Sequence, residues 1–201
     1  AQLAEEACEV EIQRLRLPIG KQDQYAAAYG GLNLIRFERS GRVVVQSLEV
    51  GDNQIQDLFN CIALVWTGIQ RSSSSVLSEQ KELVSKNQQP LNELNDLAGQ
   101  ALAAFADGGH IAEKLGTVIK RSWELKQTLA SKVSDPRIQE LIRDIQESTV
   151  WGSKVCGAGG GGFVLVIAPP ASIVDIASRL PSYRIIRPNS EPLGARIFAL
   201  V

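Results

Sequence analysis

A run of glycines near the C-terminal end restricts the fold of this 201-residue chain more than any other feature. Five of the six residues from Gly157 to Gly162 are glycine, and an apolar segment follows from Phe163. Such a backbone adopts positive φ angles freely and brings its N–H groups close to a ligand. A tight turn between a helix and a buried strand is the simpler interpretation, but it needs only one or two glycines. We therefore expect the run to face a ligand.

The run does not fit the common nucleotide-binding motifs. Gly157, Gly159 and Gly162 satisfy G-x-G-x-x-G, but that dinucleotide fingerprint follows a strand and opens a helix. Here we expect the run to follow a helix and to open a strand. The Lys-Ser/Thr pair that completes a Walker A loop is also missing. Both nucleotide motifs are therefore disfavoured.

The segment P-I-G-K-Q-D-Q-Y, from Pro18 to Tyr25, carries one carboxylate just beyond a Pro/Gly turn. Asp23 stands between two amides and near Lys21. A carboxylate in such a place can accept a proton from a substrate hydroxyl, as the Asp of phosphoryl-transfer enzymes does. The alternative is an N-cap on a helix that begins near Tyr25, and the motif taken alone favours that cap.

A third polar segment, from Thr67 to Leu77, is predicted to end a strand and start a helix. Arg71 and free N-terminal N–H groups would together bind a phosphate. The alternative is N-capping by one serine of Ser72 to Ser75, with Arg71 in solvent.

Composition excludes several classes of function. The chain has 21 Lys and Arg against 22 Asp and Glu, so no basic field points to nucleic acid. One histidine, His110, and three unclustered cysteines disfavour a zinc site and most Ser-His-Asp arrangements. The longest apolar run, Phe163 to Ala168, is far shorter than the ~20 residues of a membrane-spanning helix. We expect a cytoplasmic protein with no membrane segment.

Hydrophobic periodicity predicts helices and strands in mixed order, and therefore an α+β fold. Asp135 followed by Pro136 predicts an N-cap and a first-turn proline. The predicted elements are a helix over 2–15, a hairpin of Leu32 to Glu38 with Arg42 to Leu48, a strand from Leu58 to Trp66, three or four helices between Ser73 and Thr149, a strand from Phe163 to Ala168, a helix from Ser172 to Arg179, and strands over Tyr183 to Ile186 and Arg196 to Leu200.

Two segments occur together in a way that points to a known family. They are P-I-G-K-Q-D-Q-Y-A-A-A-Y-G-G-L-N near the front and K-V-C-G-A-G-G-G-G-F-V-L near the end. With them, the chain resembles the GHMP kinases, the group that contains galactokinase, homoserine kinase and mevalonate kinase. Within that group it is most similar to kinases of a heptose 7-phosphate, and L-V-W-T-G-I-Q-R and R-S-W-E-L-K-Q-T-L-A-S-K-V-S-D-P extend the likeness over almost the whole chain.

The resemblance implies a fold and an activity. The fold is the C-terminal part of a two-domain α+β kinase, with residues 1–56 as a remnant of the N-terminal domain and 57–201 as a ferredoxin-like C-terminal domain carrying extra helices. The activity is transfer of the ATP γ-phosphoryl group, with Mg²⁺, to a hydroxyl of a sugar phosphate, in the first place D-glycero-D-manno-heptose 7-phosphate. A homodimer is compatible with this assignment.

The resemblance also implies roles for individual residues. Asp23 corresponds to the catalytic base. We expect the acceptor to be bound by Lys21, Gln24, Arg71, Gly159 and Gly160, and the loop beside the phosphates to consist of Gly157, Ala158, Gly161 and Gly162. Three cations lie near these segments, namely Lys21, Arg71 and Lys154. Among them, we expect Arg71 to bind the phosphate of the acceptor and Lys154 only to flank the loop.

One motif of the family is missing from the chain. The Gly-Ser-rich loop that cradles the ATP phosphates should precede the first helix, and Ser72 to Ser75 lack the glycines to replace it. We therefore expect the main ATP and Mg²⁺ elements upstream of Ala1, assign no metal ligand, and expect these residues alone to be inactive. Two alternatives stay open: a non-catalytic sugar-binding or regulatory relative, and a kinase for fucose, galactose or mevalonate.

Overall fold

The computed structural model describes residues 1–70, 74–107, 109–130, 133 and 135–196. The chain forms two compact units, Ala1–Gly51 with the segment that starts at Asn189, and Asp52–Pro188. Helices and antiparallel strands occur in both units, so the predicted α+β class is confirmed. The domain boundary between residues 56 and 57 stays a prediction.

The first unit combines a helical segment with a β-hairpin. Its core consists of the buried Ala4, Cys8 and Tyr25, packed against side chains of the hairpin such as Ile35 and Val45. The N-terminal helix and the hairpin were both predicted from the sequence and are confirmed. The elements are α1 Gln2–Cys8, a π-helix Glu9–Arg14, α2 Gln22–Tyr29, β1 Asn33–Phe37 and β2 Val43–Ser47.

The second unit is built on a four-stranded antiparallel sheet in the order β4-β5-β3-β6. Helices connect β3 to β4 and β5 to β6, whereas β4 and β5 form a hairpin. This strand order with a β-α-β-β-α-β connection is ferredoxin-like, as the resemblance implies. The strands are β3 Ile62–Trp66, β4 Gly152–Val155, β5 Phe163–Ile167 and β6 Ile185–Ile186.

Helices pack against this sheet, and their apolar side chains form the core of the second unit together with those of the strands. Val65 of β3 pairs with Val164 of β5 in the register, and both side chains are fully buried in a cluster with Ile138, Leu141 and Ile176. The helices α4 to α7 lie between β3 and β4 in the chain and are the extra helices that the resemblance implies. The helices of this unit are α3 Asp52–Asn60, α4 Ser74–Glu82, α5 Gln88–Ala106, α6 Ile111–Leu129, α7 Pro136–Gln146 and α8 Pro170–Arg179.

The predicted start of α7 is confirmed. The Asp135 carboxylate accepts a hydrogen bond from the Arg137 amide at 2.9 Å, and Pro136 occupies the first turn. Proline is tolerated there because the first amides of a helix have no partner within the helix.

Two element predictions were wrong. Leu58 was assigned to a strand, but α3 extends to Asn60 and β3 starts only at Ile62. A short apolar run does not distinguish a buried strand from the last turn of a helix, and Leu58 is buried in the helix instead. The predicted strand from Arg196 to Leu200 falls mostly on residues outside those described.

The second error concerns the glycine run. It follows strand β4 rather than a helix, and it connects β4 to β5 as the loop of an antiparallel hairpin. The strand was missed because G-S-K-V contains only one apolar residue. Its pairing with β5 decides its conformation, which is a tertiary effect. The rejection of a dinucleotide fingerprint still holds, since no helix follows the run.

Candidate functional site

The glycine run forms a loop that starts where β4 ends and finishes where β5 begins. The Cys156 amide donates to the Phe163 carbonyl at 2.8 Å and closes the hairpin beneath the loop. Positive φ angles occur at four of the glycines, namely Gly157, Gly159, Gly160 and Gly162. Only glycine adopts such angles without strain, so the composition of the run follows from its backbone conformation.

Two of the glycines are also required by close packing. A Cβ atom on Gly159 would lie 2.7 Å from the Val133 carbonyl oxygen, and one on Gly161 would lie 2.6 Å from the Ile69 carbonyl oxygen. Both distances are shorter than real contacts of a Cβ atom. The loop is therefore held against the segments that contain Ile69 and Val133.

Some of the loop amides are used to hold the loop in place. The Gly160 amide donates to the Val133 carbonyl at 2.8 Å, and the Gly162 amide donates to the Ile69 carbonyl at 2.9 Å. In contrast, the amides of Gly157, Ala158, Gly159 and Gly161 donate no backbone hydrogen bond to a residue in the described ranges. Of the six amides in the run, these four are therefore the ones that remain to donate to a ligand.

Two lysines lie beside this loop. Lys126, in the last turn of α6, donates a hydrogen bond from its ammonium group to the Gly157 carbonyl. Lys154, on β4, carries a second ammonium group nearby. Burial and the positive charge of Lys154 lower the pKa of Lys126 to about 8, and burial lowers the pKa of Lys154. Among the described residues, no carboxylate forms an ion pair with either lysine.

Cys156 is the third titratable group at this position. Burial raises the pKa of its thiol, although the charge of Lys154 acts in the opposite direction. The thiol therefore stays protonated at neutral pH, and its environment does not favour a reactive thiolate.

Sequence reasoning weighed Lys154 only as a residue flanking the loop, and it missed Lys126. A lysine in the last turn of a helix is common, because it stabilises the negative end of the helix dipole. Lys126 is 31 residues from Gly157 in the chain, and only the fold brings them together. No signal in the sequence marked it.

The predicted base and two of its predicted neighbours lie on the first turn of α2, in the other unit. Lys21 is the N-cap residue, without a side-chain cap, and Asp23 lies exposed in the first turn. Asp23 accepts only a long hydrogen bond, 3.3 Å, from the Gln22 amide group. Asp23 is not the N-cap residue of α2, so the structure does not support the alternative interpretation of Asp23 as a helix cap.

Gln24 faces inward from the same turn. Its side-chain amide donates to the Glu11 carboxylate, whereas its carbonyl oxygen Oε1 is buried with no hydrogen-bond partner in the described part of the chain. Tyr25, the next residue, is only 3% exposed and anchors α2 in the core of the first unit. This anchoring fixes the turn that presents Lys21 and Asp23.

The remaining predictions from the sequence concern the acceptor phosphate, a metal site and a membrane segment. Arg71, the predicted ligand of the acceptor phosphate, lies outside the described residues. Within the described ranges, no group of three or more His, Cys, Asp or Glu residues converges as a metal site would require. Nor does any helix in those ranges combine the length and apolar character needed to cross a membrane.

The chain is similar to sugar kinases in sequence. It is 28% identical over 184 residues to D-glycero-alpha-D-manno-heptose 7-phosphate kinase of Campylobacter jejuni, which covers 89% of this chain and 53% of that protein. It is also 28% identical over 162 residues to L-fucokinase/L-fucose-1-P guanylyltransferase of Bacteroides fragilis, covering 77% of this chain and 17% of that protein. The chain thus spans about half of the first relative and much less of the second.

The fold has solved counterparts as well. A crystal structure of a D-glycero-D-manno-heptose 1-phosphate kinase from Bacteroides thetaiotaomicron superposes with a TM-score of 0.69 and 19% identity, over 98% of this chain and 55% of that one. The family model "GHMP kinases C terminal" matches residues 93–185, which include α6, β4, the glycine loop and β5. Residues 93–185 of the chain are therefore similar to the C-terminal domain of the GHMP kinases.

Proposed function

We propose that the protein containing this chain is an ATP-dependent kinase that phosphorylates a hydroxyl group of a sugar phosphate. The observation that carries the proposal is the 28% identity to a heptose 7-phosphate kinase over 89% of the chain. The two lysines beside the glycine loop, which form no ion pair with a carboxylate of the described residues, support the same conclusion, because phosphate groups need cations and N–H donors.

D-glycero-D-manno-heptose 7-phosphate is the proposed acceptor. Both heptose kinases to which the chain is similar have a heptose phosphate in their names. Fucose, galactose and mevalonate are the alternative acceptors. A non-catalytic sugar-binding relative is the alternative outside the kinases.

Asp23 is the proposed base. Its carboxylate would take the proton of the acceptor hydroxyl while the hydroxyl oxygen attacks the γ-phosphorus of ATP, and the bond from that phosphorus to the leaving ADP oxygen would break. Lys21 and Gln24, on the same helical turn, would contact the acceptor. Phosphoryl transfer depends mostly on positioning, which the buried anchor Tyr25 supplies for this turn.

In this proposal the glycine loop would bind the acceptor and the phosphate groups. Gly159 and Gly160 would contact the acceptor, and Gly157, Ala158, Gly161 and Gly162 would lie beside the phosphates. Because the Gly160 and Gly162 amides already donate to carbonyl groups, the N–H donors would come from Gly157, Ala158, Gly159 and Gly161. Mg²⁺ stays an expectation from the resemblance, and no step is assigned to it, since the described residues contain no cluster of ligands for it.

The proposal is tested on the complete gene product that contains this chain. ADP formation is measured with D-glycero-D-manno-heptose 7-phosphate, fucose, galactose and mevalonate in turn. We expect the heptose 7-phosphate to give the highest kcat/KM, and Asp23→Asn to lower kcat by roughly 10²-fold with a smaller effect on KM.

Asp52→Asn is the matched control for Asp23→Asn. Asp52 is an exposed carboxylate in the first turn of α3, as Asp23 is in α2, and its replacement should leave kcat unchanged. Near-normal turnover of Asp23→Asn would exclude Asp23 as the base. Tight sugar-phosphate binding without ATP binding or turnover would favour the non-catalytic alternative.

A further inference from the structure

Two lysines, Lys126 of α6 and Lys154 of β4, lie beside the glycine loop where α6 and β4 pack closely. Gly116 of α6 and Gly152 of β4 are in such close contact that a Cβ atom on either would overlap the other segment. The strand β4 therefore lies directly against α6. Lys154 follows Gly152 by two residues, and alternate residues of a strand point to the same face, so Lys154 lies on the side of β4 that faces α6.

Lys126 approaches the same place from α6. Its ammonium group is bound to the Gly157 carbonyl, at the first residue of the loop, and its side chain is partly buried. The two lysines thus place two positive charges next to each other at the end of β4. Like charges in a partly buried place repel and lose hydration, which costs free energy unless an anion neutralises them.

The neutralising anion is not a side chain in the described part of the protein. The carboxylates that form ion pairs in those ranges contact arginines and Lys114, and none contacts Lys126 or Lys154. The amides of Gly157, Ala158, Gly159 and Gly161, in the loop that Lys126 contacts, also have no acceptor there. Cations and N–H donors without acceptors are the donor set that a phosphate group requires.

We infer that Lys126 and Lys154, together with the free amides of the glycine loop, form a binding site for the phosphoryl group of a substrate. The inference rests on the proposed function for the choice of ligand and extends it, because it adds Lys126 and Lys154 as phosphate ligands next to the glycine loop that the resemblance already assigns to the phosphates. Two phosphate sources share this chemistry: the phosphate ester of the sugar and the phosphate chain of the nucleotide.

The test measures binding rather than turnover, on the complete gene product. Isothermal titration calorimetry with D-glycero-D-manno-heptose 7-phosphate, with ADP and with inorganic phosphate compares the parent with Lys126→Met and Lys154→Met. Methionine keeps the length of the side chain and removes the charge. Lys120→Met is the matched control, because Lys120 is an exposed lysine on the same helix.

We expect each variant at Lys126 or Lys154 to bind one of the two phosphate sources at least tenfold more weakly, as expected for the loss of a charged hydrogen bond. Selective loss of heptose 7-phosphate binding would assign the site to the acceptor, and selective loss of ADP binding would assign it to the nucleotide. Unchanged affinity for all three probes in both variants, with Lys120→Met also unchanged, would overturn the inference.

A measurement on the parent protein covers the case in which a variant does not fold. An amine-reactive acylating reagent at pH 8 labels lysines in their neutral form, and mass spectrometry quantifies each position. We expect phosphate or the sugar phosphate to protect Lys126 at least severalfold and to leave Lys120 unaffected. Equal labelling of Lys126 with and without every probe would contradict the site. A parent that binds phosphate here but shows no kinase activity would contradict the proposed function alone.

Discussion

The Thr67 hydroxyl donates a hydrogen bond to the Gly162 carbonyl at 2.8 Å and thereby joins the end of β3 to the end of the glycine loop. The same hydroxyl accepts a hydrogen bond from the Ile69 amide at 3.2 Å. Ile69 in turn accepts from the Gly162 amide. One buried side chain therefore holds the segment after β3 against the glycine loop, and this loop is part of the proposed phosphate site.

Thr67→Val should lower the free energy of unfolding by about 1–3 kcal/mol. Valine has nearly the same shape, but it leaves the buried Ile69 amide without an acceptor, and that cost dominates. Urea unfolding followed by circular dichroism measures the change. Thr67→Ser keeps the hydroxyl and should lose much less. A Thr67→Val variant as stable as the parent would mean that these hydrogen bonds do not stabilise this corner.

Gly161→Ala should destabilise the protein by about 1–3 kcal/mol, the usual scale for overpacking. Its φ angle is not in the left-handed region, so the cost comes from the Cβ atom at 2.6 Å from the Ile69 carbonyl oxygen. Gly99→Ala is the contrasting variant. Gly99 is exposed in α5 with open space around its Cβ position, and alanine there should stabilise by about 0.5–1 kcal/mol. Thermal unfolding of the two variants should shift in opposite directions, and a shift in the same direction would refute the packing argument.

Asp135→Ala should destabilise the protein by about 0.5–2 kcal/mol through loss of the N-cap of α7. The Asp135 carboxylate accepts from the Arg137 amide, and α7 places Ile138 and Leu141 in the main core. Asp135→Asn keeps a capping oxygen and should retain most of the stability. Chemical denaturation at pH 7 distinguishes the two variants. An asparagine variant as unstable as the alanine variant would show that the charge of Asp135 matters more than the cap.

The lowered pKa of Lys126 predicts a pH dependence of stability. Its folded-state pKa is about 8, whereas an unfolded lysine titrates near 10.4. Between these values the unfolded chain binds more protons than the folded one, so the Lys126 contribution to the free energy of unfolding rises with pH. Below pH 8 the full cost of the buried charge is present.

Lys126→Met removes this contribution. Urea unfolding of the parent and the variant between pH 7 and 10.5 should show a smaller rise with pH in the variant. Most other groups titrate equally in the two proteins, so their contributions cancel in the comparison. Lys154 and Cys156 interact with Lys126, so their contributions to the free energy of unfolding differ between the parent and the variant. Parallel curves for the two proteins would mean that the Lys126 pKa is not lowered in the folded state.

Most local structure in this protein follows from local chemistry. The cap at Asp135 and the alternating strands of the first-unit hairpin were predicted from adjacent residues and are present. The errors occurred where a neighbour in space overrides the local pattern. Leu58 is apolar and adjacent to a strand, yet helix α3 buries it, and Lys154 belongs to a strand only because β5 pairs with β4.

Some residues of the candidate site could likewise be predicted from the sequence, whereas others are recognised only in the folded chain. Residue chemistry alone marked the glycine loop, because five glycines in six residues are visible without a fold. Asp23 was identified as the base only through the family resemblance, since its motif alone favours a helix cap. Interactions between side chains a few positions apart therefore account for the α+β class, the caps and the composition of the loop, and these features could be predicted. The contacts of Lys126 with Gly157, of Gly116 with Gly152 and of Thr67 with Gly162 form only in the folded chain. These contacts join residues more than thirty positions apart, and burial and charge at such contacts arise only when the chain has packed.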